Sequence, residues 1–153
     1  MAPMSDLEFR PATVEDVPTI VAMLADDPLG ASRESPEDLR PYLAAFERLA
    51  TDPNQRLIVA VLDGEVVGTL QLTFVPGLSR RASTRAIIEA VRVNTAERGH
   101  GVGGRMLTWA IEEARRESCA LVQLTSDLSR TDAHRFYEQL GFTGSHLGFK
   151  REL

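Results

Sequence analysis

Four glycines fall within six positions of the stretch RVNTAERGHGVGGRMLTWAIEEARR, residues 92–116: Gly99, Gly101, Gly103 and Gly104. They stand directly before an otherwise good helix, where each glycine costs about 1 kcal/mol relative to alanine. A ligand lying against bare backbone accounts for such a run. Successive N–H groups of a loop and a helix N-terminus converge on one spot, and the helix dipole favours negative charge there. The surround is basic: Arg80, Arg81, Arg85, Arg92, Arg98 and Arg105 lie between Pro76 and Arg105 against Glu89 and Glu97, in a chain of net charge −5. The chemistry implied is local anion binding, although solvated surface arginines would give the same charge count.

Two further residues can move protons. Glu89 interrupts the apolar run AIIEAVRV, and a carboxylate in a mostly buried strand needs a partner or a function. Partial burial would raise its pKa into a useful range for a base; the alternatives are a salt bridge to Arg85 or Arg92, or an outward-facing position. Tyr137, in AHRFYEQLGF, is a weak acid that can protonate a strongly basic leaving group. Alternatively its ring packs on the sheet and its hydroxyl caps a backbone group. His100 lies inside the glycine turn, where its N–H matters more than its ring, and His134 falls on an exposed helix face. Cys119, the single cysteine, opens an apolar stretch with no His/Asp arrangement to activate it, which excludes an intrachain disulfide. No metal-ligand spacing occurs.

The elements that must position these groups follow from periodicity. LEFRPA reads as a strand, then Thr13 caps a helix with Asp16 at the third position and Val17, Ile20, Val21 and Leu24 on one face. Ser35, Pro36 and Asp38 open a second helix through Leu39, Leu43, Phe46 and Leu49. RLIVAVL and EVVGTLQLTF are strands joined by Asp63-Gly64, a strong hairpin signal. VPGLSRRAST is a loop, and RAIIEAVRVN is a third long strand. Past the glycine turn, Met106, Leu107, Ala110, Ile111 and Ala114 give the next helix a core face. CALVQLT is a strand, DAHRFYEQL a last helix stopped by Gly141, and FTGSHLGFKREL a closing hairpin. The order predicted is β-α-α-β-β-β-α-β-α-β-β, an α/β (α+β) fold.

Length and composition suit one soluble domain spanning residues 1–153. No apolar run reaches a membrane span and MAPMSDLEFR has no signal-peptide core, so a cytoplasmic protein without a membrane partner is expected. The acidic balance argues against a nucleic-acid partner.

The letters GHGVGG fit G-x-G-x-x-G, the dinucleotide fingerprint, with Asp127 available as its ribose-binding acid. That fingerprint opens its fold, whereas here most of the chain precedes it, a hairpin stands before it, and Thr95–Arg98 separate strand from turn. A Walker-type loop is excluded because no Gly-Lys-Ser/Thr follows.

The same stretch reads Arg98-Gly99-His100-Gly101-Val102-Gly103, an R-x-x-G-x-G pattern after EAVRV, and AHRFYEQLGF follows one helix and one strand later. In these two motifs, their separation and the order of its elements, the chain resembles the GNAT superfamily of acetyl-CoA-dependent N-acetyltransferases. The resemblance implies a mixed, mostly antiparallel twisted sheet of about six to seven strands with about four helices. It also implies acetyl-CoA as co-substrate, with Arg98, Gly99, His100, Gly101, Val102, Gly103 and Gly104 as the pyrophosphate arm and Val91, Arg92 and Val93 as the strand whose N–H polarises the thioester carbonyl. Where many members place an asparagine three residues before the alanine of the second motif, this chain has Arg130, whose guanidinium can reach a phosphate.

The implied reaction is direct attack of an amine on the thioester in a ternary complex, with Tyr137 as general acid for the thiolate and Glu89 as candidate base. The acceptor, a small-molecule, protein or peptide amine, would sit among DDPLGASRE, the second helix and VPGLSRRAST, with Asp26 and Asp27 attracting its positive charge and His146 as a candidate lining residue. A homodimer is left open. The rival from another class is a CoA-binding sensor or interaction module without turnover.

Overall fold

Asp63 and Gly64 have φ of 52° and 77°, both in the left-handed region that a two-residue hairpin turn requires. They join β2 (Gln55–Leu62) to β3 (Glu65–Pro76) in the expected hairpin. The computed structural model describes residues 6–153; the opening five residues, part of the stretch read for a signal-peptide core, lie outside it. β1 (Glu8–Pro11), β2, β3 and β4 (Thr84–Val93) form an antiparallel meander, and β5 (Leu121–Gln123) joins β4 in parallel. The sheet order among described residues is β1-β2-β3-β4-β5.

One face is covered by α4 (Val102–Arg116), whose Val102, Met106, Leu107, Ala110 and Ala114 are buried with Leu70, Leu72, Ala86 and Ile88 of the sheet. Ile111, the remaining predicted member of that stripe, is half-buried. The other face carries α1 (Val17–Ala25), with Ile20 and Met23 against Val59. α1 begins as the sequence indicates: the Asp16 carboxylate accepts the Thr13 N–H at 2.7 Å and two bonds from Arg10 at 2.6 and 3.1 Å.

Three elements differ from expectation. α2 spans Arg40–Ala50, starting beyond Ser35–Asp38. Those residues close a turn, Asp38 N–H to Ser35 carbonyl at 3.0 Å, and the Asp38 carboxylate takes the Arg40 N–H at 3.2 Å. Pro41, lacking an N–H, fits the first helical turn. The loop after β3 contains a four-residue helical segment, α3 (Ser79–Ala82), in which Arg80, Arg81 and Ala82 have φ of 54°, 61° and 58°. α5 (Thr131–Gln139) is the last regular element, and the closing hairpin does not form. Gly144 and Gly148 interrupt that segment, and glycine weakens a strand interior. The sheet therefore has five strands, fewer than expected, within the mixed, mostly antiparallel architecture the sequence indicates.

Candidate active site

β4 carries an irregularity that its sequence does not announce. Glu89 lies opposite Gln71 and Arg92 opposite Thr69, so β4 spends one residue more than β3 between these pairs, and Ala90 in between has φ of 53°. This is a β-bulge, which bends the strand and locally ends its pairing. Pairing of β4 with β5 runs only from Arg85–Ile87 to Leu121–Gln123. From Ile88 to Val93, β4 has no paired strand on that side among the described residues. Val91 and Val93, half-buried, pack into the α4-side core.

The glycine turn follows the end of β4. A turn of 3-10 helix, Thr95–Glu97, separates strand from glycines, so the gap seen in the sequence is real. Gly99 and Gly101 have φ of 82° and 85°, which L-residues rarely adopt. Gly103 and Gly104 lie inside α4 and do not need that freedom. A Cβ built on Gly103 would sit 3.7 Å from Phe136 and 3.8 Å from Val93, and one on Gly104 would sit 3.9 Å from Phe136, all ordinary contacts. Nothing inside the protein demands glycine at these two positions. Among the described residues, no backbone carbonyl accepts the N–H groups of Gly101, Val102, Gly103 or Gly104, as at any helix start without a capping side chain. The cradle suits an anion.

The arginines around it are partly committed. Arg98 donates through Nε to the Val93 carbonyl at 3.2 Å and through Nη2 to the Asp26 carbonyl at 3.1 Å. Arg92 donates through Nη1 to the Val91 carbonyl at 2.9 Å, and its Nε lies 2.9 Å from Asp27 Oδ2. That buried Nε–H is not aimed at the oxygen and has no acceptor among the described residues. Asp26 also accepts from the Thr95 hydroxyl. The Gly30 N–H, followed by the nearby Arg92 and Arg33 charges, holds the Asp27 carboxyl below its usual range. Asp26 and Asp27, expected to face an amine, instead tie the exit of α1 to β4 and the glycine turn.

Tyr137 sits on α5, half-buried, with its ring 5.3 Å from Phe136 and 6.1 Å from Phe142 in an edge contact. Phe136, the preceding residue of the same helix, abuts the start of α4 near Gly103 and Gly104. Its hydroxyl makes no hydrogen bond among the described residues, so the capping alternative does not hold. Glu89 is exposed and has no ion pair or hydrogen bond among the described residues, so the outward-facing alternative holds in place of burial or a bridge to Arg85 or Arg92. Glu89 occupies the opposite sheet face from buried Ala86 and Ile88, and helical cover there is incomplete. Arg130 is the exposed residue preceding α5; its side chain makes no hydrogen bond or close ion pair among the described residues, and its charge acts on the nearby Asp127 carboxylate. His100 is exposed 3.8 Å from Glu97, and His134 Nε2 contacts the Asp127 carbonyl at 2.8 Å. His146 is exposed beside Ser145 and lines no described pocket. Burial, then the Glu117 charge, pushes the Cys119 thiol up, against a nucleophilic role.

On the α1 face a pocket of about 120 Å3 opens between α1, α2 and the bulge, lined by Val21, Leu24, Phe46, Leu49, Gln71 and Ala90 among others. It differs from the acceptor site drawn from sequence: α2 contributes, but DDPLGASRE and the loop after β3 do not. That loop encloses a separate, smaller cavity with Arg80 and Arg85. Sequence reasoning missed Tyr42, Thr69 and Gln71, whose roles arise from sheet register and helix placement. It also missed Ser126, whose Oγ is buried without a partner.

The family model for the acetyltransferase (GNAT) family matches residues 18–142, covering β4, the glycine turn and the tyrosine helix. The chain belongs to the GNAT family. Its GNAT relatives include an aminoalkylphosphonate N-acetyltransferase of Salmonella typhimurium, 32% identical over 146 residues, 95% of this chain and 91% of that protein. Among solved structures, a putative acetyltransferase from Agrobacterium tumefaciens is 30% identical with a TM-score of 0.83, covering 95% of this chain and 99% of that one. A protein from Bacillus halodurans described as a transcriptional regulator is 47% identical with a TM-score of 0.92, covering 96% and 99%. Membership of the GNAT family replaces the dinucleotide alternative.

Proposed function

We propose that the protein transfers an acetyl group from acetyl-CoA to an amine by direct attack in a ternary complex. The observation that carries this reading is the Tyr137 hydroxyl, without a hydrogen bond among the described residues, on the helix whose Phe136 packs at the start of α4 behind the glycine turn. The glycine turn from Arg98 to Gly104 would hold the pyrophosphate, and Gly103 and Gly104 leave room for it. Arg130, exposed at the start of α5, can reach a phosphate. When bound, acetyl-CoA supplies the activated acyl thioester.

The chain's own groups then do the rest. A backbone N–H between Val91 and Val93, on the stretch of β4 beyond its pairing with β5, can donate to a carbonyl oxygen. One such donor is worth roughly 3 kcal/mol once charge develops there. Tyr137 holds a proton at Oη for the departing sulfur, which keeps the thiolate from returning to the acyl carbon. Glu89, exposed one residue before the bulge, can take the amine proton through water. The Salmonella relative's named activity supports an amine acceptor. A sensor without turnover would have no use for such a phenol.

Replacing Tyr137 by Phe tests the assignment. kcat should fall about 100-fold with the acetyl-CoA dissociation constant unchanged. Unchanged kcat would return Tyr137 to a packing role.

A further inference from the structure

Helix α2 has an apolar stripe that the protein does not use to close its core. Tyr42, Ala45, Phe46 and Leu49 recur at helical spacing, yet α2 buries none of its residues. Instead all four line the pocket of about 120 Å3 beneath the helix. An apolar stripe normally seals against its sheet, so the space is shaped for something else. From α1, Val21 and Leu24 complete the apolar wall.

No Asp, Glu, Lys, Arg or His lines this pocket. Its polar groups are largely committed. The Thr69 hydroxyl donates to the Ile58 carbonyl at 2.9 Å. The Tyr42 hydroxyl accepts the Ser35 N–H at 2.8 Å and donates to Glu34 at 3.0 Å. Gln71 donates through Nε2 to Gln55 at 2.8 Å, and its amide oxygen accepts no hydrogen bond among the described residues. Gln71 lies opposite Glu89 and next to the bulge, so this acceptor marks the end of the pocket nearest β4.

We infer that the pocket is the acceptor site and that the acceptor is a primary amine bearing a compact uncharged apolar group, an arylalkyl or short branched alkyl amine. This rests on the acetyl-transfer reading above. The apolar group lies against Val21, Leu24, Phe46 and Leu49, while the amine nitrogen points to the Gln71 oxygen and the bulge. The pocket of about 120 Å3 is somewhat smaller than the closed cavity of about 150 Å3 that takes a benzene ring, and being open it leaves the aminoalkyl chain outside that volume. An acceptor with a phosphonate or several ammonium groups would have to desolvate charge against a wall that offers none in return. In the transfer a C–N bond forms, the C–S bond breaks, and one proton passes from nitrogen to sulfur by way of the protein.

The test compares kcat/KM for phenethylamine and isopentylamine with that for 2-aminoethylphosphonate and spermidine, using acetyl-CoA and thiol release. The apolar amines should be preferred at least tenfold. Ala45→Trp, at an exposed helical position lining the pocket, should raise the phenethylamine KM at least tenfold without changing the acetyl-CoA KM or the melting temperature. Equal or better turnover of the phosphonate or the polyamine would overturn the inference and leave acetyl transfer standing. Thiol release with none of the four would count against acetyl transfer, and calorimetric titration with phenethylamine then decides the pocket. Binding that Ala45→Trp abolishes supports it, and absence of binding overturns it.

Discussion

Replacing Gly103 by alanine separates a glycine kept for a ligand from one kept for packing, because the two reasons predict opposite signs. Gly103 is the second residue of α4 and lies outside the left-handed region. The added methyl would stand 3.7 Å from Phe136 and 3.8 Å from Val93, which calls for no displacement. Alanine is the better helix former by about 0.5–1 kcal/mol. With no steric charge against it, the variant should be more stable, with a melting temperature about 1–4 °C higher for a chain of this size. The same methyl projects beside the unpartnered N–H groups at the start of α4. If it displaces an anion from one or two charge-assisted hydrogen bonds, each worth about 1.5–3 kcal/mol, acetyl-CoA affinity falls roughly 10- to 100-fold or more. Calorimetric titration with acetyl-CoA and a thermal melt on the same preparation read both quantities. A variant that is more stable and binds acetyl-CoA as well as the wild type would refute the reasoning. A destabilised variant would assign Gly103 to packing.

Gly101→Ala should behave differently: φ is 85° with no atom within 4 Å of the added carbon, so a loss of about 1–2 kcal/mol from backbone strain alone is expected in chemical denaturation. The Asp16 carboxyl is held below its usual range, first by the Arg10 hydrogen bonds and then by the Thr13 N–H. A depressed carboxylate stabilises above its unfolded pKa of about 3.9 and loses that contribution as pH falls towards the folded value. Asp16→Asn should cost about 2 kcal/mol at pH 7, and the gap from wild type should narrow below about pH 4 in denaturant titrations. Arg56 links β2 to α4 through Glu113 at 3.2 Å and Glu117 at 2.9 Å, and lies 5.1 Å from the Phe74 ring centre. Arg56→Ala should cost about 1 kcal/mol, and melts in 1 M salt should show a smaller difference as the ion pairs are screened.

What was legible in the sequence is what local backbone demands write into residue type. Asp63-Gly64 and the glycines after Arg98 mark positive φ or open backbone, and the stripes of α1 and α4 follow from their faces. The bulge was illegible because its left-handed residue is Ala90, which carries no turn signature; register with β3 imposes it. The left-handed segment Arg80–Ala82 is hidden for the same reason. Burial of Glu89 was expected from an apolar strand covered on both faces, but α2 stands away from the sheet there. The pairings of Asp26 with Arg98 and Asp27 with Arg92 join positions far apart in the chain, beyond the reach of spacing arguments. Tyr137 was legible as a motif residue, while its free hydroxyl needed the packing of Phe136 and Phe142 around it.

The measurement that bears most directly on the central claim is an initial-rate study with purified protein, acetyl-CoA and phenethylamine. Thiol release and acetylated amine would be quantified together while both concentrations are varied. Direct transfer predicts equal amounts of the two products and double-reciprocal lines that intersect. Tight acetyl-CoA binding with no thiol released to this or any other amine would contradict the account, and parallel lines would contradict the ternary complex.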